Sequence, residues 1–158
     1  MTDINNYSYK GAAALVMLHE KHLKSFTETW LKAKAISAIL PQTDDPYYAS
    51  LESLLFHVLN SAGGYMRWIC IQLSLPDPAI DSPPAKENIE KEFPAYINHL
   101  VERWDIPLRN PEEPVFHKPT FESNWGVHYC IDAMLEHAVM HPIRHEHQLL
   151  RLIEEQKK

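Results

Sequence analysis

The chain has 158 residues, of which 45% are hydrophobic and 23% charged, and this composition is typical of one globular domain, to which we assign residues 1–158. The formal net charge of -6, without any cluster of Lys and Arg, argues against DNA or RNA as a partner. The polar N-terminus, the absence of a long apolar run and the presence of only 2 cysteines indicate a cytoplasmic protein without a membrane partner.

Four amphipathic helices are predicted in chain order. They span residues 9–38, 49–73, 84–104 and 124–156, each with apolar residues at helical spacing. Ser50 is the expected N-cap of the second helix. Pro94 predicts a kink or break near Phe93 in the third, and Pro142 predicts a bend in the last. Together the four helices predict an all-α fold, a four-helix bundle.

Two other segments interrupt this helical pattern. The adjacent Gly63 and Gly64 weaken the second helix and allow a neighbouring helix to approach closely. Residues 105–123 carry four of the prolines and predict a long loop. Such a loop is either a cover over a functional site or a passive surface excursion, and the sequence favours neither.

The last helix carries a row of histidines at intervals of four residues. His137, His141 and His145 therefore share one face, where neighbouring rings can converge on one ion. Each step of four turns the direction by about 40°, so only one adjacent pair serves, either His137/His141 or His141/His145. His57, on the apolar face of the second helix, is the candidate third ligand. The alternative is that His57 is a hydrogen-bonded core residue and that the histidine row on the last helix faces solvent.

Three neutral imidazoles would leave a coordination position open, as in catalytic metal sites. Imidazole ligands suit Zn, Ni, Fe or Cu and do not distinguish among them. Glu136 and Glu146 could hydrogen-bond the ligand rings, although acids on a solvated helix face are the commoner case. His19 and His22 on the first helix could also face the site or be ordinary polar residues.

Two motifs resemble the DinB-like superfamily of four-helix bundle proteins, which includes metal-dependent thiol transferases. They are SLESLLFHVLNSAGGYMRW in the second helix and LEHAVMHPIRHEHQLL in the last, the latter similar to the family's row of histidines before a Gln. In that family one ligand comes from the second helix and two from the last. The resemblance therefore implies that His57, His141 and His145 bind a divalent metal ion.

The resemblance also implies a function. A metal-dependent enzyme of this kind would transfer a low-molecular-weight thiol to a small electrophile. The alternatives are a non-catalytic, metal-binding stress-response bundle, with a homodimer allowed in either case, and a metal-free interaction module. No nucleophile motif, P-loop or dinucleotide fingerprint is present, so no catalytic residue is predicted.

Overall fold

The computed structural model describes residues 2–156 and shows an all-α architecture, as predicted. The helices are α1 Lys10–Ala35, α2 Leu51–Gln72, α3 Ile89–Trp104, the short α4 Pro114–His117 and α5 Ile131–Glu155. Single 3-10 turns lie at Ile4–Asn6 and Pro46–Tyr48, and strands β1 Phe121–Glu122 and β2 His128–Tyr129 form an antiparallel pair. The assignment of 1–158 to one domain stays a prediction, and its residues Met1, Lys157 and Lys158 lie outside the described part.

The four long helices pack around one hydrophobic cluster. α1 lies along α5, and α2 contacts both α3 and α5. Every long helix contributes fully buried side chains to this cluster, among them Trp30, Leu59, Leu100 and Leu135. Burial of a side chain of this size stabilises the fold by about 1.5–3 kcal/mol. The cluster therefore holds α2 and α5, the helices that carry the candidate ligands, side by side.

The start of α2 is fixed by two hydrogen bonds. The hydroxyl of Ser50 accepts a bond from the backbone N–H of Ser53 at 3.0 Å, which confirms Ser50 as the N-cap. The buried indole of Trp30 on α1 donates from Nε1 to the carbonyl of Leu51 at 2.7 Å. These bonds set where α2 begins and so which of its residues, His57 included, face α5.

The third helix is shorter than predicted. α3 begins at Ile89 rather than near residue 84, because the pair Pro83-Pro84 supplies no backbone N–H and residues 86–88 form a turn instead. The predicted break near Phe93 is absent, since α3 continues through Pro94. Pro94 removes only the bond that its N–H would donate to the carbonyl of Glu90, while the other backbone bonds of α3 and the burial of Phe93 and Ile97 hold the helix together.

The last helix also begins later than predicted. Residues 124–127 form the turn between β1 and β2, where Gly126 adopts φ 81° and the hydroxyl of Ser123 accepts from the N–H of Val127 at 3.1 Å, and Cys130 is the N-cap of α5. α5 then runs unbroken through Pro142. The preceding stretch, residues 105–123, is not a structureless loop: it contains α4 and β1 and buries Leu108 and Phe116.

The two glycines of α2 differ in their surroundings, and this difference gives a stability prediction. A Cβ on Gly64 would meet nothing within 4 Å, whereas one on Gly63 would lie 3.1 Å from the Ile80 side chain. Gly64→Ala should raise the free energy of unfolding by about 1 kcal/mol through helix propensity, or about 2–4 °C in Tm. Gly63→Ala should raise the free energy of unfolding by less than this, or lower it, because the side chain of Ile80 must shift to make room for the new Cβ.

Thermal unfolding of both variants, followed by circular dichroism, checks this expectation. An equal rise in Tm for the two substitutions would mean that Gly63 is not closely packed in solution.

Candidate metal centre

Three histidines converge between α2 and α5. His57 comes from α2, and His141 and His145 come from successive turns of α5. The Nε2 atoms of His57 and His141 lie 3.0 Å apart, and one ring nitrogen from each of the three residues lies within 4.8 Å of the others. Three nitrogens this close could hold one metal ion.

The pair His57/His141 has the spacing that an ion of the zinc type requires. Two nitrogens bound to one tetrahedral ion at about 2.0–2.1 Å are themselves about 3.3 Å apart, close to the 3.0 Å between the two Nε2 atoms. Imidazole nitrogens suit Zn, Ni, Fe or Cu, whereas Mg and Ca prefer oxygen ligands. The arrangement therefore favours a transition-type divalent ion without distinguishing among the four.

The third histidine of the row takes a different position. The ring of His137 stacks on Trp125, with centroids 5.3 Å apart and an interplanar angle of 28°, and meets Tyr65 edge-on at 5.4 Å. Of the two alternative pairs, the structure thus brings His141 and His145 together with His57 and leaves His137 one turn away. The rotation of about 40° for each four-residue step explains why only one adjacent pair serves, and the packing of α5 against α2 decides that the pair is His141/His145.

Burial keeps the clustered rings neutral. It is the main cause that lowers the pKa of His57 to about 4, with the neighbouring His145 contributing next. Burial likewise lowers the pKa of His141 well below its ordinary value, followed by the charges of His145 and His57. Burial lowers the pKa of His145 against an opposing hydrogen bond with Gln148. At neutral pH the rings therefore offer lone pairs rather than protons, as metal ligation requires.

The turn Pro46–Tyr48 contacts two of the clustered rings. Tyr47 stacks on His57 with centroids 3.8 Å apart. The hydroxyl of Tyr48 donates to Oε1 of Gln148 at 2.5 Å, and Nδ1 of His145 lies 3.0 Å from the same oxygen. A carbonyl oxygen only accepts, so Nδ1 of His145 carries the proton and its Nε2 keeps the lone pair.

Comparison of the chain with family models, curated proteins and solved structures finds no match. Membership of the DinB-like superfamily therefore stays a prediction from the two histidine motifs. Within residues 2–156, no helix combines the length and the apolar character needed to cross a bilayer.

Several other expected contributors lie elsewhere. Glu146 does not reach the rings, because its Oε1 accepts from the hydroxyls of Ser25 at 2.6 Å and Thr29 at 3.1 Å and so ties α5 to α1. His19 is buried against Trp104 on the α1–α3 side of the core. The residues that the sequence analysis missed are Tyr47, Tyr48 and Gln148. Only Gln148 had a signal in the sequence, as the Gln that follows the histidine row.

A cleft of about 430 Å³ opens beside the cluster, with His57 and His141 in its wall. Its volume lies in the range of small-molecule sites. The hairpin supplies Asn124 and Trp125 to the same wall, and Trp125 is 48% exposed rather than a core residue. A bound small molecule would therefore contact the two clustered rings directly.

The hydrogen bond of Gln148 gives a second prediction. Gln148→Ala removes the acceptor that fixes the His145 tautomer, so the affinity for Zn should fall about tenfold. Gln148→Glu keeps an acceptor oxygen at this place and should retain affinity. Competition with a chromogenic chelator measures both variants. Equal affinities for wild type and Gln148→Ala would show that the bond does not orient His145.

Proposed function

We propose that the chain is a four-helix bundle of the DinB-like type and a divalent-metal-dependent enzyme, with His57, His141 and His145 as ligands. The observation that supports this most is the convergence of three neutral imidazoles beside an open cleft. The order of the long helices and the origin of the rings, one from the second and two from the last, agree with the motifs of that family.

In the proposed reaction a low-molecular-weight thiol loses its proton to solvent, and its sulfur forms a C–S bond to a small electrophile as the bond from that carbon to its leaving group, such as chloride, breaks. When bound, the ion supplies a positive centre that favours the thiolate over the thiol. The chain's own residues hold and orient the ligand rings: Tyr47 packs on His57, and Gln148 accepts the Nδ1 proton of His145. The cleft would receive the electrophile and keep part of it away from water.

The association state belongs to the same proposal. Three apolar side chains on α1, Met17, Leu18 and Leu31, are each more than two-fifths exposed, at 43%, 41% and 45%. These side chains permit a homodimer but do not form one patch, because Met17 and Leu18 point about 100° apart on the helix, so the homodimer is proposed from the family resemblance. Sedimentation velocity over a range of protein concentrations measures the association state. A monomer at every concentration would contradict the proposed homodimer.

One contact favours the metal-free interaction module as a second candidate. The separation of 3.0 Å between the Nε2 atoms of His57 and His141 is also that of an N–H···N hydrogen bond between neutral rings. In that case the histidines are structural. The discriminating property is metal content.

Two measurements on one preparation test the proposal. Elemental analysis of protein purified without chelators should give about one divalent ion for each chain. A transfer assay with cysteine as the thiol and an activated aryl chloride as the electrophile should then require that ion. Bound metal with no transfer to any electrophile tried would contradict the enzyme and favour the non-catalytic stress-response bundle. Absence of bound metal would favour the metal-free interaction module.

A further inference from the structure

The cleft beside the histidine cluster is walled largely by aromatic rings. Tyr65, Trp68, Trp125 and His137 all line it. Trp125 stacks on His137, while Tyr65 meets Trp125 edge-on, with centroids 6.5 Å apart and an interplanar angle of 84°. Flat rings stack favourably against such surfaces. A half-exposed tryptophan at the mouth of a cleft is therefore a suitable surface for an aromatic ligand.

One residue of the cleft wall has no side chain. This residue is Gly64, and a Cβ there would meet nothing within 4 Å. Asn60 and Asn124 provide exposed amide groups at the same wall, which can hydrogen-bond polar substituents of a ligand. A longer side chain at position 64 would project into this space and exclude a ligand.

The charge balance of the site favours an anion. Among the described residues that line the cleft there is no Asp, Glu, Lys or Arg. Three neutral imidazoles leave both charges of a divalent ion uncompensated, and an ion in a partly desolvated site attracts an opposite charge strongly. Arg144, exposed on α5, adds a further positive charge nearby, whereas Asp45 in the turn before α2 partly opposes it.

We propose that this cleft binds a small aromatic anion, with its ring against Trp125 and Tyr65 and its anionic group at the end formed by His57 and His141. The inference rests on the proposed metal centre and names the substrate class of that site. A neutral aromatic compound has no anionic group to pair with the metal ion, and an aliphatic anion has no ring to stack on Trp125. Each should therefore bind more weakly than an aromatic anion.

Isothermal titration calorimetry on Zn-loaded protein tests this inference, with metal content measured on the same samples. The probes are naphthalene carboxylate, the neutral naphthalene carboxamide and the aliphatic cyclohexane carboxylate. The first should bind at least about tenfold more tightly than either of the others. His141→Ala lacks one of the imidazole rings that bind the metal ion. This variant should no longer bind the naphthalene carboxylate more tightly than the carboxamide.

Two substitutions separate the ring contact from the metal. Gly64→Leu and Trp125→Ala should each weaken naphthalene carboxylate binding about tenfold or more while the Zn content stays unchanged. Val127→Ala, in the same hairpin but outside the cleft wall, is the matched control for Trp125→Ala and should bind as wild type does.

The outcomes of this experiment are distinct. Zn-loaded protein that binds the carboxamide or the cyclohexane carboxylate as tightly as the naphthalene carboxylate, or that binds none of the three, overturns this inference and leaves the metal centre intact. Unchanged binding in both Gly64→Leu and Trp125→Ala also overturns it. Protein that takes up no Zn overturns the inference together with the proposed function.

Discussion

Replacing His141 by alanine should abolish stoichiometric metal binding. His141 is the central member of the cluster: its Nε2 lies 3.0 Å from that of His57, and its ring centroid lies 4.7 Å from that of His145. Loss of a hydrogen bond that supports a ligand lowers metal affinity by up to roughly 100-fold. Loss of one of the three protein ligands should lower the affinity for Zn by well over that factor. Elemental analysis and Zn competition titration measure the effect.

His137→Ala is the matched control for this substitution. His137 sits on the same helix, one turn before His141, and also faces the cleft, but its ring packs on Trp125 and lies outside the cluster. Its removal should leave one ion for each chain. If His141→Ala binds Zn as tightly as His137→Ala does, the three clustered rings are not the ligands, and the 3.0 Å contact is an N–H···N hydrogen bond between neutral rings.

Acid should destabilise the protein through His19, away from the metal centre. His19 is 2% exposed and stacks on Trp104, with centroids 3.7 Å apart and an interplanar angle of 10°. Its Nε2 has no hydrogen-bond partner within residues 2–156. Burial first, and the charge of His22 second, lower the pKa of His19 to about 3. The folded state therefore holds this ring neutral, whereas the unfolded chain protonates it below about pH 6.5.

The sign of the effect follows from this difference. As pH falls from about 6.5 toward 3, the unfolded state binds a proton that the folded state does not, so the free energy of unfolding decreases by about 1.4 kcal/mol per pH unit. His19→Phe keeps an aromatic ring against Trp104 but cannot be protonated. Between pH 7 and pH 5 wild type should lose about 2 kcal/mol more stability than this variant does.

Urea unfolding of both proteins, with a chelator present to keep them metal-free, measures the two pH profiles. Between pH 7 and pH 8 the difference between them should stay nearly constant, because His19 is then neutral in both states, and this range serves as the internal control. Parallel profiles from pH 7 down to pH 5 would contradict a buried, neutral His19.

The helices and the cluster could be predicted from local sequence patterns. The apolar residues around His57 indicated that it points inward, and the interval of four residues indicated that His141 and His145 share a face. Spacing alone could not select His141/His145 over His137/His141, because that selection depends on the angle at which α5 meets α2. The resemblance implied this pair, and the structure brings it together with His57.

Long-range contacts of the turns could not be predicted. The 3-10 turn Pro46–Tyr48 lies between the first two predicted helices, and nothing local indicates that Tyr48 reaches Gln148, 100 positions further along the chain. The last helix was predicted to begin at residue 124, whereas α5 begins at Ile131. The positive φ of Gly126 and the β1–β2 pairing keep the preceding residues out of the helix. The contact between Tyr48 and Gln148 depends on how the turn packs against α5, which local sequence does not specify.

The clustered rings come from distant parts of the chain, and this separation determines at what stage of folding they could bind a metal ion. His57 and His141 are separated by 84 positions, and neither helix alone brings His57 to the α5 pair. During synthesis, α2 is made long before α5, and the three nitrogens converge only once both helices have docked. Metal loading would therefore follow folding rather than guide it, and any bound ion would act as a late cross-link between the early and late parts of the chain.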